Sequence, residues 1–389
     1  MLVAILNPVH FPCDICNQTE EAGDVASVAG STDHWQGEQL VLCRDDARGL
    51  RAVIAINDTT LGPGLGGVRC VRYPSDTAAI SEAQRLAAAM TLKNAFAGLP
   101  FGGAKSVIIA PERGVDRRGL MQRFGEFVLR TGGAYLPGVD MGTSVTDLQT
   151  MADSGAEVSC NAEDPSPWTA LGVAAAIRAA IEHVDQRDGI QGTRVLIQGA
   201  GHVGAALARD LAASGAEIVV ADIDAERASR VAAEVGGSNV APDAVISTAC
   251  DVLAPCSVAK VIAAETVPQL RCRMLIGAAN DTLADDGCAT LLARRGITYV
   301  PDFVSNAGGV IHIHALRAEH TEKRLRSDVL QIGSRTREVL ETAAGSDHTP
   351  LQIAVERVRR ILADARVAAD GARSSGAARR DDARTLSAA

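Results

Sequence analysis

Aromatic side chains make up only 3% of this 389-residue chain. Its cores must therefore be packed largely by Ala, Val, Leu and Gly, as in α/β proteins assembled from βα units. There is no excess of basic residues. The formal net charge is -9, which argues against a nucleic-acid partner, because phosphate contacts need a basic face. No apolar run is long enough to span a membrane, so no membrane partner is expected. The start, "MLVAILNPVHF", lacks a basic region and a clear cleavage site, which predicts no signal peptide and a cytoplasmic protein. The nine cysteines are odd in number and scattered, unlike a disulfide framework. "CDIC", Cys13 to Cys16, has no second pair to complete a structural zinc site, and no metal is expected.

What is present points to two domains. The length exceeds that of a usual single domain, and 47% apolar residues suffice for sizeable cores. Residues 1–36 show no periodicity and read as an extension. A first α/β domain is expected over 37–165. It holds a hairpin in "EQLVLCRDDARGLRAVIAIND", a Gly-rich turn and strand in "GPGLGGVRCVRY", and a helix over 76–94 capped by Ser75. "KSVIIAP" reads as a short buried strand that Lys105 opens. "SPWTALGVAAAIRAAIEHV" predicts a long helix crossing between domains. From there to about 320, strands and helices alternate. Residues 321–368 read as helices returning to the first domain, and 369–389 as a disordered tail.

"VLIQGAGHVGAAL" places Gly199, Gly201 and Gly204 in GxGxxG spacing. That spacing alone is a weak signal. Here it follows an apolar strand and opens an apolar helix. A second strand, "EIVVAD", ends in Asp222, eighteen residues after Gly204. The three glycines serve the tight turn, the approach of pyrophosphate to backbone, and close helix–strand packing. The helix N-terminus supplies N–H groups to phosphate, with His202 and Val203 in its first turn. Asp222 would accept the adenosine ribose hydroxyls and repel a 2′-phosphate, which favours NAD over NADP. The alternative is a Rossmann-like domain that binds nothing.

"TLKNAFAGLPFGGAK", Thr91 to Lys105, sets two lysines among small and apolar neighbours. A buried lysine loses hydration of its charged form, its pKa falls, and it becomes a base near neutral pH. The second lysine stays charged if it meets an anionic ligand. Asp140, in "PGVDMGT", sits among small residues that are expected to raise its pKa so that it can pass a proton. Together these groups suggest amine and carboxylate chemistry. The competing reading is a pair of solvated lysines on a loop rim.

Seven stretches in collinear order, "LGPGLGGVR", "MTLKNAFAGLPFGGAKSVI", "GVDMGTSVTDL", "QGAGHVG", "DVLAPC", "GAAND" and "PDFVSNAGGVIH", resemble the Glu/Leu/Phe/Val amino-acid dehydrogenase family. The resemblance covers about residues 37–365 and is strongest to the leucine, valine and phenylalanine branch. It implies an N-terminal α/β catalytic and oligomerisation domain, a Rossmann NAD-binding domain over 166–320, and a cleft between them. It implies reversible deamination of an L-amino acid to the 2-oxo acid and ammonia, and a homo-oligomer. Lys93 would bind the substrate carboxylate, with backbone contacts from Gly66 and Gly67. Lys105 would be the general base that activates water, and Asp140 would exchange protons with the amino nitrogen. Thr169, Asn280 and Asn306 would hold nicotinamide and substrate. Two positions depart from the family pattern. Asp281 replaces the second Asn of GAANN, and Ala104 replaces the third Gly of GGGK.

By the same resemblance, Leu65, Gly138, Val139, Val310 and Ile313 would line the side-chain pocket. None could partner a glutamate carboxylate, which could not be buried alone. Leu65, Val310 and Ile313 favour Leu, Val or Ile. Gly138 leaves space that could admit an aromatic ring, so the runner-up is an aromatic amino-acid dehydrogenase. A reading of another class is a catalytically impaired NAD-binding partner protein.

Overall fold

In the computed structural model of the chain, the described residues are 35–111, 114–159, 163–257 and 261–386. The expected N-terminal extension, with its CDIC pair, falls almost wholly outside them. The chain divides into two compact units. One comprises residues up to 162 and from 358 onward, and the other residues 163–357.

The first unit is built on a five-stranded sheet. Its strands are β1 (Gln39–Asp45), β2 (Leu50–Asp58), β3 (Gly64–Val71), β4 (Gly102–Ile109) and β5 (Tyr135–Val139), in the order β1-β2-β4-β3-β5. β1, β2 and β4 pair antiparallel, whereas β4, β3 and β5 run parallel. Gly49, at φ 63°, closes the hairpin in a left-handed conformation that glycine adopts without steric cost. Helices α1 (Asp76–Phe96), α2 (Arg117–Leu129) and α3 (Val145–Asp153) cover the sheet. Ser75 caps α1 by accepting the Ala78 N–H at 3.1 Å.

Strand side chains alternate between faces, so the register sorts the residues. One face carries Val53, Ala55 and Val107 and packs against Ala79, Ile80, Ala83 and Ala87 of α1. The other carries Ile54, Val68, Ile108 and Tyr135 and packs against Leu120, Phe124 and Phe127 of α2 and Leu148 and Met151 of α3. Alanines let α1 lie close to the sheet, and Gly103 lets it lie closer still. A Cβ at Gly103 would stand 2.1 Å from the backbone nitrogen of Thr91.

β4 begins at Gly102, so Lys105 is its fourth residue and does not open it. Gly102 and Gly103 pair with Gly64 and Leu65. Glycine's poor strand preference hides such a start from sequence reading.

The second unit contains β6 (Arg194–Gln198), β7 (Glu217–Ala221), β8 (Ser238–Asn239), β9 (Val252–Pro255), β10 (Met274–Leu275) and β11 (Thr298–Tyr299). All are parallel, in the order β11-β10-β9-β6-β7-β8. This is the doubly wound dinucleotide-binding order, with its switch point beside β6. Its helices are α4 (Ser166–Asp185), α5 (His202–Ala213), α6 (Ala225–Glu234), α7 (Gly287–Arg294), α8 (Asp302–Ser305), α9 (Gly308–Arg317) and α10 (Glu322–Ala344).

The expectation that α4 crosses between domains is corrected, because it lies wholly in this unit. Leu171 to Ile177 are buried without a break, and a Cβ at Gly172 would stand 2.6 Å from Ile332 Cδ1 of α10. Burial on all sides, not linkage, is what makes α4 so apolar. α10 therefore belongs with the second unit, where sequence reading returned it to the first.

α11 (Pro350–Leu386) starts in the second unit and continues into the first. There Arg366 donates to Asp58 Oδ2 at 2.5 Å and to Thr60 Oγ1 at 3.2 Å. The helix runs on through residues 369–386, where composition predicts disorder. Ala and Arg are good helix formers and extend a helix already nucleated. Among the described residues, no helix is long and apolar enough to cross a membrane.

Candidate active site

On the α1 face of the first sheet, Leu65, Gly67 and Arg69 alternate along β3. Gly67 pairs with Gly138 of β5, and Leu65 with Gly103 of β4. Lys105 and Asp140 follow Gly103 and Gly138 by two residues and so share this face. The Lys105 ammonium forms an ion pair with Asp140 Oδ2. Lys105 is only 5% exposed. Gly67 is required here, since its Cβ would stand 2.7 Å from Asp140 Cβ. Asp140 Oδ1 accepts the Met141 N–H at 2.5 Å and two longer bonds from Arg69, at 3.3 and 3.4 Å. Arg69 is held from behind by Glu82 of α1, at 2.7 Å, and Glu82 in turn by Arg85. The Asp140 N–H donates to Thr143 Oγ1 at 3.0 Å.

Burial pushes the Lys105 ammonium below the usual lysine range, and Arg69 adds to the shift. Asp140 opposes both without cancelling them. The expectation that surroundings raise the Asp140 pKa is corrected. Burial does push it up, but the Lys105 and Arg69 charges and the Lys105 and Met141 hydrogen bonds outweigh burial and hold it low. Relative to the same groups in water, Asp140 is held toward its ionised form and Lys105 is shifted toward its neutral one.

Lys93 lies in the last turn of α1, half-buried. Its neighbour Asn94 is fully buried and ties the strand starts together, donating to Gly102 O at 2.6 Å and Leu65 O at 3.3 Å. Gly66 is fixed by sterics, because a Cβ there would meet Ala104 O at 1.7 Å. Two pocket expectations change. Val139 pairs with Val68, on the face opposite Gly138, and is 46% exposed. Adjacent strand residues cannot line the same wall. The space at Gly138 is partly occupied, since a Cβ there would stand 2.9 Å from the hydroxyl of buried Ser159.

In the second unit, the turn after β6 has the form a dinucleotide requires. Gly199 is left-handed, at φ 104°, and a Cβ on it would stand 2.8 Å from Ser257 Cβ. A Cβ on Gly204 would stand 1.9 Å from Gly199 O, whereas one on Gly201 would meet nothing within 4 Å. That open position is where pyrophosphate would approach. α5 begins there with no side-chain cap on its N-terminus. His202 points outward to Asp164, at 3.1 Å, and Val203 is half-buried.

Asp222, one residue past β7, accepts the Ala200 N–H at 2.7 Å and the Asp224 N–H at 2.9 Å. Burial pushes its pKa up, but Arg227 and these two N–H groups hold it below the usual carboxylate range.

Past β10 and β11, Asn306 donates to Asn280 Oδ1 at 2.9 Å and to Ala278 O at 3.0 Å. Its own Oδ1 is buried with no partner. A bound group with an N–H donor, such as a carboxamide, would satisfy it. Gly308 and Gly309 let α9 meet the first turn of α4. Their Cβ atoms would stand 2.1 Å from Trp168 O and 3.0 Å from Thr169 Oγ1. Val310 and Ile313, half-buried, follow one turn apart on α9. Asp281 has a left-handed backbone, φ 52°, which Asn and Asp tolerate better than other side chains. Its replacement of Asn is therefore conformationally mild. The Gly cradle, the ionised Asp222 and the unpartnered Asn306 oxygen together fit a nicotinamide dinucleotide.

The comparisons with known proteins agree with this geometry. Residues 38–156 match the family described as Glu/Leu/Phe/Val dehydrogenase, dimerisation domain. Residues 163–227 and 222–316 match Glutamate/Leucine/Phenylalanine/Valine dehydrogenase. The chain belongs to the Glu/Leu/Phe/Val dehydrogenase family. It is 37% identical to the leucine dehydrogenase of Thermoactinomyces intermedius over 332 residues, 84% of this chain and 90% of the relative. It is 39% identical to the valine dehydrogenase of Streptomyces albus over 305 residues, 76% and 84% of the two. The crystal structure of L-tryptophan dehydrogenase from Nostoc punctiforme superimposes with a TM-score of 0.75 at 31% identity. It covers 87% of this chain and 99% of that one. The chain is thus an amino-acid dehydrogenase of the leucine, valine and phenylalanine branch, from a family that generally uses a nicotinamide cofactor.

Sequence reasoning missed Arg69, Glu82, Ser159 and Arg227 in this family member. Arg69 had a signal, since it continues the alternation of Leu65 and Gly67. The other three come close only through tertiary contacts.

Proposed function

We propose that the protein carries out NAD-dependent, reversible oxidative deamination of a branched-chain L-amino acid, giving the 2-oxo acid and ammonia. The observation that carries this reading is the buried Lys105–Asp140 pair packed against Gly67, on the face that α1 covers. Lys93, as ammonium, pairs with the substrate carboxylate. Asp140, ionised, takes a proton from the substrate ammonium so that the nitrogen lone pair can assist the oxidation. A nicotinamide dinucleotide, which the Gly199–Gly204 turn, Asp222 and Asn306 would hold, would supply the acceptor for the hydride lost from Cα. Lys105, as free amine, then removes a proton from the water that adds to the iminium carbon, and Asp140 returns its proton to the amino nitrogen. Ammonia leaves as the carbonyl forms and the carbinol hydroxyl proton passes to solvent. Within the second unit, Asn280, Asn306 and Thr169 are assigned to the nicotinamide carboxamide.

Within the first unit, Leu65 and Gly138 are assigned to the substrate side chain. Burying an isobutyl group against such hydrocarbon gains roughly 1.5–3 kcal/mol and strands no polar atom. An aromatic substrate is the second reading. Gly138 and the likeness to a tryptophan dehydrogenase favour it, whereas Ser159 beside Gly138 disfavours it. The protein is proposed to act as a homo-oligomer through its first unit, which sedimentation would check.

The test is kcat/KM for Val, Leu, Phe and Trp with NAD and with NADP. Preference for Leu or Val supports the proposal, and a clear aromatic preference overturns the substrate assignment. No turnover on the whole panel, with NAD still bound, would leave an impaired cofactor-binding protein.

A further inference from the structure

Asp222 does not stand alone at the end of β7. Arg227, in the first turn of α6, clamps it with Nη2 to Oδ1 at 2.7 Å and Nε to Oδ2 at 3.3 Å. With the Ala200 and Asp224 N–H groups, each carboxylate oxygen already accepts two hydrogen bonds. A carboxylate has about four acceptor positions, so a ribose diol can reach Asp222 only by displacing the guanidinium. The two side chains differ in freedom. That of Asp222 is 6% exposed, whereas that of Arg227 is 38% exposed and can swing outward on its stem. Asp224, 3.9 Å from Arg227 Nη1 and 48% exposed, is a second carboxylate on the outward path.

We propose that Arg227 is a specificity-determining residue that lets this site take a 2′-phosphorylated dinucleotide alongside the unphosphorylated one. The inference rests on the dinucleotide-site reading above. It has two parts. Arg227 cancels the charge by which Asp222 alone would repel a phosphate. It also supplies a planar guanidinium fork that matches phosphate geometry. For the unphosphorylated dinucleotide, Arg227 is a competitor for the carboxylate that binds the diol. For the phosphorylated one it becomes the partner. Asp222 by itself predicts strict exclusion, so the two residues make opposite forecasts.

The test is titration of the full-length protein with NADH and NADPH, read by the change in nicotinamide fluorescence on binding. The wild type is expected to bind NADPH within about tenfold of NADH. Arg227→Ala should weaken NADPH by about tenfold or more, the loss of one charge-assisted contact, while NADH binding holds or tightens. Arg227→Lys should keep much of the NADPH affinity, which guards against a folding defect in the alanine variant. An unchanged NADPH-to-NADH ratio in Arg227→Ala, with NADH still bound, would overturn the role of Arg227 alone. Failure of the wild type to bind NADPH while it binds NADH would do the same. Failure to bind either nucleotide would overturn the site reading and this inference together.

Discussion

Both units place an aspartate one residue past the end of a strand and pair it with a cation from another element. Asp140 follows β5 and meets Lys105. Asp222 follows β7 and meets Arg227. The anions are similarly hidden, but the cations are not. The Lys105 side chain is 7% exposed and the Arg227 side chain 38%. A buried lysine is driven toward its neutral form, while arginine stays charged in any setting. The first pair therefore holds a proton that can be moved. The second holds only charge and shape, and its exposed half contributes little to stability. One arrangement suits catalysis and the other recognition.

The largest effect expected from breaking this comparison is at Lys105. Lys105→Ala should lower kcat by about 10²–10⁴-fold, the usual range for a general base, and leave NADH binding nearly intact. Near-wild-type turnover in a folded variant would remove Lys105 from the mechanism.

The pH profile sharpens the same point. Deamination should rise with pH as Lys105 loses its proton, along a limb lying below the ordinary lysine value of 10.5. Asp140 raises the Lys105 pKa and Arg69 lowers it. Asp140→Asn, though slow, should therefore move that limb to lower pH, and Arg69→Met should move it to higher pH. Limbs that fail to separate in these opposite directions would show that the measured limb is not Lys105.

At the exposed pair the effects are smaller. Asp222→Ser should raise NADP use relative to NAD by about tenfold, through loss of one charged hydrogen-bond acceptor. Steady-state kcat/KM with both cofactors decides it, and an unchanged ratio would show that Asp222 does not touch the ribose.

The smallest change is expected at Gly138. Gly138→Ala would need the Ser159 hydroxyl to move, since the new Cβ would stand 2.9 Å from it. A misfit of one methyl group is worth about 0.8 kcal/mol, a few fold in rate. Leu turnover should fall by a few fold and Phe turnover by more. An equal loss for both would place Gly138 outside the pocket.

Much of the architecture was legible from residue order. The GxGxxG turn, the hairpin at Gly49 and the Ser75 cap each follow from local rules, and the structure has all three. The errors share one cause. The start of β4 was hidden by glycines whose role is to admit α1 and the neighbouring strands. α4 read as a linker because a helix buried on every side and a connecting helix look alike in composition. The small, apolar sequence neighbours of Asp140 predict a raised pKa, whereas the charges that govern it, Lys105 and Arg69, lie far along the chain.

The sequence by itself determined the classes of element, the Gly cradle for phosphate, the acidic end of β7 and the lysines in a Gly-rich stretch. These depend on backbone conformation and on spacing within one or two elements. Only the tertiary structure decided which face each residue occupies, that Lys105 and Asp140 meet, that Ser159 fills the place beside Gly138, and that Arg227 clamps Asp222. Those outcomes depend on register between strands distant in sequence and on how closely helices approach the sheet. Burial and charge act through space, so residues far apart in order set the chemistry of each other's side chains.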